Sequence, residues 1–240
     1  QIVRQITEAC PDNSRFAQVS YFNTWLTMHN SYNSLYGHTD DIPTIVWSPL
    51  SALRGTTGDV GPVCEGYARA FKVLCDQKDI PCMLTVGFAK NSSLDEGESH
   101  MWNEVQMEDN EWYAVDVTWN DPIDALNRQV SGFENDFWLL LGKNDMVAPG
   151  FTFEQSHPNA LTWGSENEAL WDYSTASLIA DNKYIPNTGF CVPSLTRTPA
   201  KPLRVYTTSG RYVGTYPSLS AARLQLPAGQ LLIANGKKGF

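Results

Sequence analysis

The chain has 240 residues, enough for one large domain or a domain with a small appendage. Hydrophobic residues make up 42% and charged residues 18%, with eight Trp, ten Tyr and ten Phe; this supports a packed core and excludes a disordered chain. The formal charge of -9, with no basic stripe interleaved with aromatics, excludes a nucleic-acid surface.

No apolar run is long enough to cross a bilayer, so no transmembrane segment is expected. The first residue is Gln1 rather than Met, which predicts a mature or trimmed product whose export signal, if one existed, has been removed.

In chain order, Phe16, Val19, Phe22 and Leu26 recur at threes and fours, which predicts an amphipathic helix over 14–26 capped by Asn13 or Ser14. His29 to Trp47 reads as irregular structure, and the glycines and proline of 56–62 as a loop. Tyr67, Ala68, Phe71, Leu74 and Cys75 then mark one face of a helix over 64–75. Gly66 in its first turn weakens the helix but lets another backbone approach. Short runs at 82–88, 101–107 and 112–119, rich in Val, Trp, Tyr and Thr, predict strands. Asp109-Asn110-Glu111 makes the hairpin turn between the last two. The continuously apolar 137–141 reads as a buried strand, 143–197 as turn-rich, 196–202 as a linker, and 203–240 as a short strand-rich tail. Helices followed by an antiparallel meander predict an α+β fold.

The five cysteines are Cys10, Cys64, Cys75, Cys82 and Cys191. An odd count without tight spacing is not a disulfide framework, there is no CxxC pair, and the four His do not fall at zinc-ligand spacings. No metal or cofactor is expected. Cys64 stands where a glycine-rich loop meets a helix N-terminus, whose partial positive charge favours a thiolate and whose N–H groups suit an oxyanion. An ordinary buried thiol is the alternative for Cys64, and the preferred reading for the other four.

A cysteine nucleophile needs a base and the base an orienting group. His100 stands ahead of one predicted strand and Asp116 inside the next. Folding the hairpin about Asn110 brings them nearly opposite, where a buried carboxylate needs a partner. A purely structural His–Asp pair remains the alternative. His29, His38 and His157 are weaker candidates, with His157 read as a surface or packing residue. The carboxylates Asp95, Glu96 and Glu98 form an acidic, solvated loop.

Gly61-Pro62-Val63-Cys64-Glu65-Gly66-Tyr67-Ala68, His100-Met101-Trp102-Asn103 and Trp112-Tyr113-Ala114-Val115-Asp116-Val117-Thr118-Trp119 resemble, in order, the three motifs of the bacterial transglutaminase-like superfamily. Pro62 departs slightly from the usual glycine-to-cysteine approach. The resemblance spans about residues 14–142. It implies a papain-like transglutaminase core, with a helix-borne cysteine packed on an antiparallel sheet carrying His and Asp. It implies Cys64 as nucleophile, His100 as general base and acid, and Asp116 as the group orienting the imidazole. Gly66, Tyr67, Trp102 and Asn103 would support the site, and Trp119 would cover it. The activity implied is cysteine-dependent amide hydrolysis or acyl transfer on a protein or peptide substrate through a thioester, with no cofactor. Calcium serves animal transglutaminases, but no Asp-rich loop suggests it here.

Val205-Tyr206-Thr207-Thr208-Ser209-Gly210-Arg211 and 226–238 resemble the C-terminal β-modules of exported proteins of Bacteroidetes-type bacteria, with the last strand missing or cut short. The expected organisation is a core over 1–142, a turn-rich extension over 143–197 and a truncated β-module over 198–240. The expected location is secreted or on the cell surface. Two other readings stay open: an inactive surface or cell-wall binding module retaining the triad, and an amidase acting on cell-wall peptide or glycan-linked asparagine.

Overall fold

The structure is a computed structural model. It describes residues 1–33, 35, 41–57, 60–123, 130, 132–159, 171–174 and 177–186, and the backbone of 203–207, 212–216 and 232–235. Cys191, His38, Asp40, the 196–202 linker and the Ser209-Gly210 turn lie outside the described residues. The chain divides into two units, Gln1–Val192 and Pro193–Phe240.

In the first unit α1 (Ile2–Glu8) and α2 (Arg15–His29) precede a 3-10 turn (Thr44–Trp47), α3 (Pro49–Leu53) and α4 (Cys64–Asp76). Ser14 caps α2 by accepting a hydrogen bond from Ala17 N–H at 3.3 Å. The helix runs on to His29, three residues beyond the expected end. A four-stranded antiparallel meander follows, in the order β1 (Cys82–Ala89), β2 (Glu98–Gln106), β3 (Trp112–Val115) and β4 (Leu139–Leu141). Asn110 takes the positive φ of 67° that the β2–β3 turn requires. The core packs α2 and α4 against the meander through Phe22, Leu26, Tyr67, Phe71, Leu74, Val105 and Val115. This is the expected α+β arrangement, a cysteine-bearing helix on an antiparallel sheet.

Three boundaries differ from expectation. His100 lies inside β2, not ahead of it. Strand β3 stops at Val115, because the Asp116 carboxylate accepts Trp119 N–H at 3.0 Å and opens the short helix α5 (Val117–Asn120). The apolar run 137–141 is strand only from Leu139, with Phe137 43% exposed.

Beyond β4, β5 (Met146–Ala148) and β6 (Phe151–Thr152) form a small hairpin leading into α6 (Phe153–Ser156). Two later segments then line the free edge of β1. Phe88 N–H donates to Pro158 O at 3.1 Å and Lys90 N–H to Ser156 O at 2.8 Å. Leu84 N–H donates to Asp172 O at 2.8 Å, and its carbonyl accepts Ser174 N–H at 2.7 Å. Covering an edge in this way removes a row of unpaired backbone groups. The second unit contains a three-stranded antiparallel sheet in the order β8 (Tyr212–Tyr216), β7 (Leu203–Thr207), β9 (Leu232–Asn235).

Candidate active site

Cys64 is the first residue of α4, half-buried, and follows a loop pinned at several points. Asn33 N–H donates to Pro62 O at 3.0 Å, and Val63 N–H to Val46 O at 3.2 Å. A Cβ on Gly66 would sit 2.4 Å from Val46 O, so this glycine is what lets α4 press against the 3-10 turn. Tyr67 is fully buried one turn along, and its hydroxyl donates to Asp121. Together these contacts fix the helix end that carries the thiol, where the first N–H groups lack intrahelical acceptors and suit an anion.

The sheet supplies the other two residues. His100 Nε2 lies 2.8 Å from Asp116 Oδ2, and both side chains are buried. Asn103 pairs with Val115, so the same register carried one step on puts Asp116 beside Trp102 and leaves His100 diagonal to it. The expected juxtaposition is present, two residues in register from directly opposite. With Nε2 turned to Asp116, Nδ1 is the imidazole atom left for Cys64, whose side chain interacts with the His100 ring.

The charges follow from these contacts. Burial alone would push His100 down, but the Asp116 carboxylate and then Cys64 outweigh it and raise the imidazole to about 10. Burial would push Asp116 up, but His100 first and His157 second hold it well below the usual carboxylate range. The arrangement therefore favours an imidazolium beside the Asp116 carboxylate.

The supporting residues sit where they can act on this pair. Trp102 is buried with its ring 6.2 Å from that of His100, and the Trp119 ring lies 5.9 Å away on another side. Asn103 points to α4: its amide donates to Ala68 O at 3.0 Å and to Met83 O at 3.3 Å, bolting the cysteine helix to the sheet. Beside the thiol, Cys64 joins a cluster of Ala68, Leu84, Val86, Met101, Trp171 and Tyr173. Trp171 is held there by Arg69, whose guanidinium carbon lies 5.1 Å from the ring centroid.

His157 is not at the surface: it is a packing residue of the interior that also bonds Asp116. It is 3% exposed, and its Nε2 lies 3.1 Å from the same Asp116 Oδ2 that His100 uses. Burial pushes this imidazole down, against the pull of Asp116. His100, Asp116 and His157 form, among the described residues, a group whose ligand atoms converge within 4.8 Å. Both Nε2 atoms face one carboxylate oxygen at hydrogen-bond distance, which is how two N–H donors share an acceptor. Of the other cysteines, Cys75 and Cys82 are buried, with the Cys75 thiol pushed up by burial, and Cys10 is half-buried with its thiol on Asp12 O at 3.2 Å.

A thiol heading a helix and a His–Asp pair on the sheet it packs against are the groups that a general cysteine-dependent enzyme uses. Residues 1–117 match the family described as the transglutaminase-like superfamily. Two solved structures overlap the chain in part. One is a candidate cysteine protease from Cytophaga hutchinsonii, at 18% identity and a TM-score of 0.36, covering 49% of this chain and 35% of that one. The other is a TGase, at 18% identity and a TM-score of 0.38, covering 49% of this chain and 30% of that one. The chain thus spans about a third of the length of each. No curated protein matches the sequence. No helix among the described residues is long and apolar enough to cross a membrane.

Proposed function

We propose that the chain cleaves or transfers at amide bonds of protein or peptide substrates by thioester catalysis, with hydrolysis as its main outcome. The observation carrying this reading is the His100 ring, bonded through Nε2 to Asp116 and interacting with the Cys64 side chain. The Cys64 thiolate attacks the amide carbonyl carbon, and the oxyanion forms beside the first N–H groups of α4. His100 gives its Nδ1 proton to the departing amine as the C–N bond breaks, leaving a thioester. Neutral His100 then takes a proton from water, whose oxygen attacks the thioester carbon and restores the Cys64 thiolate with the released acid. A second amine in place of water would give transfer. The three-stranded tail and its resemblance to exported β-modules support action outside the cell.

Alkylation by iodoacetamide at pH 5–6, mapped by mass spectrometry, tests the reading. Cys64 is expected to react far faster than Cys75, and His100→Ala to abolish the difference. Equal rates at the two cysteines would sink the enzyme in favour of a binding module. Peptide and glycan-linked asparagine substrates, then a labelled amine with a glutamine-containing protein, separate peptidase, amidase and transferase.

A further inference from the structure

We infer that His157 is a second histidine of the site, a positioning residue that donates its Nε2 proton to Asp116 Oδ2 and thereby limits how tightly Asp116 holds the His100 imidazolium. The inference rests on the catalytic reading above and adds a residue that the three sequence motifs do not contain.

The protein builds His157 into place from several directions. Helix α6 is closed at its start by a reciprocal cap, in which Thr152 Oγ1 accepts Gln155 N–H and the Gln155 side chain accepts Thr152 N–H. The chain leaving α6 is then tied to the β1 edge on either side of His157, through Ser156 O and Pro158 O. The Ser156 hydroxyl adds a bond to Lys90 O at 2.8 Å. Around the ring, Phe153 stacks at 4.6 Å and 11°, while Trp102, Trp119 and Trp138 close the remaining sides at 4.8–5.3 Å. A histidine needed only to fill space would not require its nitrogen on a carboxylate.

Proton accounting fixes the tautomer. Ionised Asp116 only accepts, so Nε2 of His157 must carry a proton. In the neutral ring Nδ1 then carries no proton; it lies 3.1 Å from Ser156 Oγ, whose own proton goes to Lys90 O at 2.8 Å, so the bond to Asp116 alone sets the tautomer. The titrating groups that face His157 are Asp116, from the end of β3, and His100, from β2; Cys64 lies beyond His100. Asp116 Oδ1 is occupied by Trp119 N–H, so the whole carboxylate is shared among His100, His157 and one backbone donor. Each added donor spreads the carboxylate charge and weakens its hold on the others. Without His157, His100 would keep its proton to higher pH and release it to a leaving amine less readily.

Two measurements test this on the whole chain without a substrate. In the wild-type protein labelled with 15N-histidine, the His157 ring is expected as the Nε2–H tautomer, with any titration displaced below the ordinary range. An Nδ1–H tautomer, or ordinary titration near pH 6.5, overturns the inference. In the second, the pH profile of Cys64 alkylation is compared among wild type, His157→Gln and His157→Asn. Gln can present an N–H at the distance of Nε2, whereas the shorter Asn cannot. The step in which His100 loses its proton is expected to move up by about one pH unit in His157→Asn and to return in His157→Gln. Coincident profiles in folded variants overturn the role of His157, while a wild-type Cys64 no faster than Cys75 overturns the catalytic reading instead. If neither variant folds, the tautomer measurement decides.

Discussion

Gly87 on β1 lies directly opposite His100 on β2, and its missing side chain is what brings His157 within reach of the site. A Cβ at Gly87 would stand 2.3 Å from Pro158 O and 2.6 Å from the tip of the Trp102 ring. The strand could carry any small residue for its own sake, and glycine weakens it. The close approach of 156–159 is the compensation. Gly87→Ala is therefore expected to push that segment off the β1 edge and to cost about 2 kcal/mol as an overpacked contact. Urea unfolding checks the cost, and a change below about 0.5 kcal/mol would mean that the segment adapts freely.

The two imidazoles predict opposite pH limbs of stability. His157 is held below its unfolded value near 6.5, so the folded protein refuses a proton that the unfolded chain accepts. Its contribution is present above pH 6.5 and is lost as pH falls. Set against His157→Gln, which cannot titrate, the wild-type advantage should shrink by up to about 1.4 kcal/mol for each pH unit below 6.5. His100 is raised to about 10, so its contribution is complete below pH 6.5 and disappears as pH rises toward 10. His100→Gln should flatten that alkaline limb. Chemical unfolding from pH 5 to 10 measures both, and parallel curves for wild type and either variant would contradict the assigned shift.

Cys64, His100 and Asp116 were legible because short-range rules place them. A loop-to-helix junction locates the thiol, and one hairpin turn at Asn110 folds the imidazole onto the carboxylate. The boundary errors had local causes. Alternation makes Asp116 a strand residue, whereas its carboxylate caps the next helix, and the pattern cannot distinguish the two when the strand is only four residues long. His157 was missed for a different reason. It lies 41 residues from Asp116 in a turn-rich stretch with no period to read, and its place depends on edge pairing. Two faint signals were available: the Thr152-to-Gln155 spacing of a capping box, and a glycine inside the apolar run at 82–88.

Asn103 is the joint between the cysteine helix and the sheet. Replacing it by Leu leaves Ala68 O and Met83 O without its two N–H donors in a buried setting. A cost of about 1 kcal/mol is expected, the order for lost buried hydrogen bonds to carbonyls that keep other donors. The thiol should also suffer, because α4 would no longer be held at a fixed height over His100. Cys64 alkylation at pH 6 is expected to slow while far-ultraviolet circular dichroism stays native. Unchanged reactivity in a destabilised variant would separate the joint from the site.

Glu104 offers the reverse case, a substitution expected to stabilise. It lies on β2, fully buried, and its Oε2 accepts bonds from Ser174 Oγ and Leu178 N–H, both long at 3.3 Å. Burial raises its carboxyl above the ordinary value against the weaker pull of those donors. An acid raised in the folded state contributes stability below its unfolded pKa and loses it as pH rises through the folded one, so at neutral pH this group opposes folding. Glu104→Gln keeps an oxygen for both donors and removes the charge. Its stability relative to wild type should rise from pH 4 to pH 8, reaching a gain of about 1 kcal/mol. A loss at pH 8 would show that the carboxylate charge is compensated by its surroundings and that the 171–178 segment depends on it.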